Sequence, residues 1–164
     1  MYIDRELALL FTAFVNWGFM MALLYNMVSY SEPRKRAASP LWLCLVINLS
    51  YLSTSFLDIG ATIYIVYPIA DLLTVAVLIF VQNGRVKIPA LYYCVFGLSA
   101  NASLNVSLYV DLVLVQNGEP WWLWSLYSIG INVNDAMMII ALIVNKDYLG
   151  LCRAGRYLKA VFQR

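Results

Sequence analysis

Five stretches of the chain are long and apolar, and four of them carry a narrow polar stripe at helical spacing. The first runs from Leu7 to Tyr30, the second from Pro40 through Ile59, the third from Ala61 to Gln82, the fourth from Pro89 to about Leu112 and the fifth from Pro120 to about Val144. A helix needs roughly 20 apolar residues to cross about 30 Å of hydrocarbon, so each is a candidate span. Pro40, Pro89 and Pro120 sit just inside apolar runs, where a missing N–H costs nothing because that donor has no helical partner. Ser39, ahead of Pro40, is a good N-cap.

The boundary between the second and third spans lies at Gly60 or at Pro68. A helix starting at Pro68 and ending at Gln82 would be only about 22 Å long at 1.5 Å per residue, too short to cross. The break is therefore expected at Gly60, in a tight turn at the membrane surface, with Pro68 kinking the third helix from within. Neighbouring helices make such kinks tolerable by re-satisfying the freed carbonyl.

Composition agrees with this layout. Of 164 residues, 63% are hydrophobic and 12% are charged, about half the charged share of an ordinary soluble domain. A soluble domain of this size could not hide so much apolar surface. Disorder is excluded on the same ground, and a net charge of +2 leaves no broad basic face for nucleic acid. Asp4, Arg5 and Glu6 precede a first apolar run longer than a signal-peptide core, so it is expected to be a retained helix.

The basic residues set an orientation. Arg34, Lys35 and Arg36 lie in the first loop, Arg85 and Lys87 in the third, and Lys146, Arg153, Arg156, Lys159 and Arg164 after the fifth span. With five crossings all of these fall on one side and only Arg5 on the other. The positive-inside rule then places the N-terminus outside and the C-terminus inside, with Trp121, Trp122 and Trp124 at the outer interface. The expected fold is an all-α, polytopic bundle of five transmembrane helices over residues 1–146. A basic amphipathic cytoplasmic tail helix over 147–164 follows it, lying on the inner leaflet or docking a cytosolic or membrane partner. Small size, absence of a soluble domain and the basic tail fit a bacterial inner (cytoplasmic) membrane.

The chain has three cysteines, Cys44, Cys94 and Cys152, without metal-ligand spacing, and no histidine. A disulfide framework, a zinc site and histidine-based nucleophile pairs are therefore not expected, nor is any cofactor. No serine-plus-base or Gly-x-Gly-Asp setting supports an intramembrane enzyme. Asn101-Ala-Ser103 and Asn105-Val-Ser107 match the glycosylation pattern but fall inside the fourth span. Val81-Gln-Asn-Gly84 recurs as Val115-Gln-Asn-Gly118, and Asn-Gly is a good helix stop because both residues tolerate the left-handed conformation.

The chemistry lies in the polar stripes. Asp71 falls near the middle of the third span and Asp135 near the middle of the fifth, while Asp58 and Asp111 fall near outer ends. Charges at mid-bilayer cost several kcal/mol, and no Lys or Arg shares that depth. The central carboxylates must be protonated, hydrogen-bonded, hydrated in a cavity or bound to a cation. Asn48, Tyr51, Ser55 and Asp58 share one helical face, as do Tyr64, Tyr67, Asp71 and Thr74, and again Ser125, Ser128, Asn132 and Asp135. The fourth span adds Asn101 and Asn105, one turn apart, and Ser99, Ser103 and Ser107 at four-residue spacing.

These stripes should turn away from lipid, toward each other, a water-filled space or another subunit. One reading makes the protein a self-associating cation or proton channel or pore. Asp71, Asp135, Asn132, Asn101, Asn105 and Asp58 are then the ion-binding or proton-relay residues, because hard cations favour oxygen ligands. The alternative is a non-conducting scaffold or partner subunit whose polar core stabilises packing, with serine and Gly18/Ala22 stripes letting helices approach closely.

Overall fold

A computed structural model describes residues 5–32, 40–55, 63–83, 88–119 and 121–153. The described chain is helical, with no strand among the described residues. Its helices are α1 (Arg5–Tyr30), α2 (Leu41–Ser55), α3 (Ile63–Gln82), α4 (Pro89–Tyr109) and α5 (Trp122–Val144), and α4 runs on into a π-helical turn, Val110–Leu114. Among the described residues, three segments are long and apolar enough to cross a membrane: Leu10–Tyr30, Tyr64–Gln82 and Trp122–Val144. The described part of α2 is apolar but shorter, Leu41–Thr54. Large apolar side chains stand outward along the helices, among them Phe14, Val28, Leu49, Leu73, Phe80 and Ile129. An apolar exterior of this extent belongs in a bilayer.

Helix ends follow local chemistry. Pro89 occupies the first turn of α4 after an extended Ile88, and Pro40 sits immediately before α2, its carbonyl accepting the Cys44 N–H at 3.0 Å. Pro120, Ser39 and Gly60 lie outside the described residues. Pro68 lies inside α3, whose first residue is Ile63, so a helix start at Pro68 is set aside. The Asn-Gly stop after α4 works differently from expectation. Gln116, not Asn117 or Gly118, takes the left-handed conformation, with φ 55°. Asn117 acts through its side chain instead, donating to Asp111 Oδ1 at 3.1 Å. Asn145 ends α5 in the left-handed region, φ 48°, with its N–H on the Ala141 carbonyl.

Each helix packs on its neighbour in sequence, and α5 closes back on α1, so the five form a ring. One half of the ring's interior is solid. Phe19 and Ala22 of α1, Leu43, Cys44 and Ile47 of α2, Leu78 of α3, Cys94 and Leu98 of α4, and Met138 and Leu142 of α5 are buried to 1% exposure or less. Polar groups in this half are satisfied. Asn26 donates to the carbonyls of Ala22 (2.8 Å) and Leu142 (3.0 Å), tying α1 to α5. Asn48 donates to the Phe19 carbonyl at 3.0 Å, tying α2 to α1. Such ties matter because lipid supplies no hydrophobic drive for helix association.

Close approach rests on glycine where it was expected at Gly18, whose missing Cβ leaves room for Ile139, and also at Gly97 against Met138. The serine stripe of α4 has a different role from the one expected. Ser103 and Ser107 are exposed and bond back to the carbonyls of Ser99 and Ser103, each at 2.8 Å. Ser103 and Ser107 therefore present an outer face of α4.

The tail begins as a docked turn. Tyr93, fully buried, donates its hydroxyl to Asp147 at 3.0 Å and accepts the Leu149 N–H at 2.7 Å. Tyr148 stacks on Tyr93 at 4.9 Å and donates to the Met137 carbonyl. A helical turn follows at residues 151–153, and the rest of the expected amphipathic helix lies outside the described residues. At Asp147 burial pushes the carboxyl's pKa up, but donation from Tyr93, Cys152 and Arg153 outweighs it and holds the group below its ordinary value. The contribution of this carboxylate is therefore present at neutral pH and lost as pH falls through the lowered value.

Tyr93→Phe removes two hydrogen bonds worth about 0.5–1.5 kcal/mol each. Amide exchange at residues 147–151 should rise about tenfold or more at pH 7. Acidification of the wild type below about pH 4 should produce the same loosening. Unchanged exchange in Tyr93→Phe contradicts the docked turn.

Candidate functional site

The other half of the ring interior is a cavity of about 910 Å³. Each helix gives one half of its length to the solid core and the other to this space. Val15 and Asn16 line it one turn from buried Phe19; Tyr51 lines it one turn from Ile47; Asn101 one turn from Leu98; Asp135 one turn from Met138. In α1, α4 and α5 these boundary residues lie near the middle of the helix, so the cavity floor falls at about mid-length of those three helices. The rim carries exposed Phe11, Trp121 and Trp122.

The polar stripes meet here. Asp71, Asp135, Asn132, Asn101 and Asn105 all line the cavity, from α3, α4 and α5. Asp58 lies outside the described residues. Tyr64, Tyr67, Ser125 and Ser128 line it too, whereas Thr74 is buried beneath and shares a 2.6 Å hydrogen bond with Ser50. No Lys or Arg lines the space among the described residues.

The two carboxylates differ in surroundings. Asp135, only 4% exposed, accepts on Oδ1 from the Tyr51 hydroxyl at 2.6 Å and from Asn101 Nδ2 at 2.8 Å. The network continues outward. Asn101 Oδ1 accepts from Asn134 Nδ2 at 3.1 Å, Asn105 donates to the Asn101 carbonyl at 2.9 Å, and Tyr127 donates to Asn105 Oδ1 at 3.1 Å. Three helices, α2, α4 and α5, are thereby joined at one carboxylate, and hydrogen bonds in such a chain strengthen one another. Asp71 hydrogen-bonds no described residue and is half-buried on the cavity wall. Asn132 Nδ2 is engaged with its own helix, on the Ser128 carbonyl at 2.6 Å.

A second buried carboxylate shapes the rim. Asp111, 7% exposed, accepts indole N–H groups from Trp121 (2.9 Å) and Trp124 (2.8 Å) as well as Asn117. These tryptophans are more than an interfacial belt, since their polar edges are pinned inward. Above the cavity, Tyr64 and Tyr127 meet edge to face at 6.3 Å.

Sequence spacing placed Tyr51 on the polar face of α2 without pairing it to Asp135, and brought out neither Tyr127, Asn134 nor the contribution of α1. Thr12 and Asn16, four residues apart and both lining the cavity, were the available signal on that helix. The Asp111–indole contacts, across a loop and in a chain region that reads as a simple helix end, had none.

The fold is helical, with helices apolar and long enough to cross a membrane, and the site is a cavity among them lined by two carboxylates. The sequence matches no family model, and no curated protein or solved structure is similar to it.

Proposed function

We propose that the protein handles cations or protons through this cavity, as a channel or carrier spanning the membrane five times with its N-terminus outside. The observation that carries the reading is Asp71: a carboxylate on the wall of an open cavity, with no hydrogen-bond donor among the described residues and no basic neighbour lining the space. A carboxylate at that depth with no protein partner is costly unless the cavity hydrates it or a proton or cation reaches it. With the basic loops inside, the rim faces outward, and the cavity takes its occupant from the external side.

Polar stripes from several helices are consumed within one chain. This favours a path inside each copy over one between copies. Passage then requires the solid half, closed by Leu43, Leu78, Leu98 and Met138, to open. Self-association enters as an arrangement of such units, with the outward Ser103 and Ser107 on α4 as the polar face available for it.

The second reading, a non-conducting scaffold, is favoured by Asp135, whose carboxylate is satisfied internally by Tyr51 and Asn101. Flux of protons and of potassium into proteoliposomes separates the two. Asp71→Asn should lower wild-type flux at least about tenfold while eluting from a sizing column like the wild type. Absence of both flux and Asp71-dependent cation binding in the wild type, or equal flux in Asp71→Asn, favours the scaffold.

A further inference from the structure

We infer that the cavity's occupant is an organic cation, an amphiphile with one positive centre and a bulky apolar or aromatic body, and not a bare ion. The inference rests on the preceding reading that Asp71 meets a positive charge. Size is the first argument. A cavity of about 910 Å³ lies in the range of about 300–1,000 Å³ that holds drug-sized ligands. A divalent cation stripped of water needs several oxygen ligands converging at about 2–2.6 Å, and among the described residues no group of three His, Cys, Asp or Glu side chains could hold one.

Wall chemistry is the second argument. Tyr64, Tyr67, Tyr127, Trp121, Trp122 and Trp124 surround the space above the two carboxylates. Aromatic faces attract cations, most strongly when both are withdrawn from water, and they also bury an apolar body. A proton would need neither the volume nor the rings. An anion would meet two carboxylates and no basic side chain, and a neutral apolar molecule would leave Asp71 uncompensated.

The two acids divide the work. Asp135 already accepts two hydrogen bonds, so its position is fixed and it forms the floor. Asp71 hydrogen-bonds no described residue and is the counter-charge for the single cationic centre. Entry runs past Phe11 and Trp122, exposed rim side chains of the kind that sit at a membrane interface, where amphiphiles accumulate.

The test uses the full chain in detergent with two probes of the same shape and opposite charge, tetraphenylphosphonium and tetraphenylborate. Binding is followed by calorimetry and by quenching of tryptophan fluorescence. Expected are saturable binding of the phosphonium, at least about a hundredfold weaker binding of the borate, and at least about a tenfold loss in Asp71→Asn that Asp71→Glu partly restores. Ser128→Phe, which fills space on the cavity wall, should weaken the phosphonium as well.

Phosphonium binding no tighter than borate binding, together with Asp71-dependent potassium or proton flux, overturns the organic-cation inference and leaves the broader reading standing. Absence of any Asp71 dependence, in binding and in flux, overturns both. Because Asp71 makes no hydrogen bond to a described residue, Asn at that position breaks none of these contacts. Co-elution with the wild type checks that the variant is folded.

Discussion

Replacing Asp135 by leucine should destabilise the protein by about 1–4 kcal/mol, while Asp71→Asn should leave stability unchanged. Leucine removes the acceptor shared by Tyr51 and Asn101, so both lose their bond to α5, and Asn101 is buried to 3% exposure. A buried polar group left unsatisfied costs about 1–3 kcal/mol. The lower end of the range reflects the smaller values measured for hydrogen bonds within membranes, where the unfolded chain also finds partners. Asp135→Asn keeps one carbonyl oxygen at the acceptor position and should fall between leucine and the wild type. Thermal unfolding in a mild detergent, followed by tryptophan fluorescence, measures all three. Equal midpoints for Asp135→Leu and the wild type would show that the network does not hold α2, α4 and α5 together. The contrast between two aspartates in one cavity separates a structural acid from a functional one without reference to any ligand.

Gly97→Ala should be the most damaging one-carbon addition in the chain's described core. A Cβ at Gly97 would lie 2.7 Å from Met138 Cγ and Sδ, and Met138 is fully buried, so the side chain has nowhere simple to go. Overpacking of this kind typically costs about 1–3 kcal/mol. The α4–α5 contact widens, and with it the floor beside Asn101 and Asp135. Met138→Ala alone leaves a cavity and should also destabilise, by about 2–5 kcal/mol. The double variant should be more stable than the sum of the two losses, because the added methyl enters the space the methionine vacates. Strict additivity would mean that the two residues do not meet.

What the sequence made legible was set by periodicity. Apolar runs opened by Pro89 or closed by Tyr30, Gln82 and Val144 match the observed helix ends, because length and polarity are one-dimensional properties. The convergence of Asp71, Asn101, Asn105, Asn132 and Asp135 was legible for a related reason: a polar stripe in a membrane helix has only the interior to face. Which carboxylate would be satisfied was not legible. Asp71 and Asp135 have similar settings along their helices, and only the approach of Tyr51 from α2 and Asn101 from α4 separates them.

The serine spacing of α4 was legible as a face but not as an outward one, since hydroxyls that bond to their own helix carbonyls can sit on either side. Asp111 escaped because its partners come from the next loop and helix, at Asn117, Trp121 and Trp124. The π-helical turn that aims it has no sequence signature.

The ring in which each helix touches the next and α5 seals against α1 also fixes an order of assembly. During synthesis the first four helices can pair as they emerge, but the wall bearing Ser125, Ser128 and Asp135 arrives last. Until then the α5 side of the cavity is missing, and a nascent chain arrested before residue 122 leaves Asp71 facing that gap. The compartment is completed by α5, and a chain terminated before Trp122 should be degraded faster than the full-length protein.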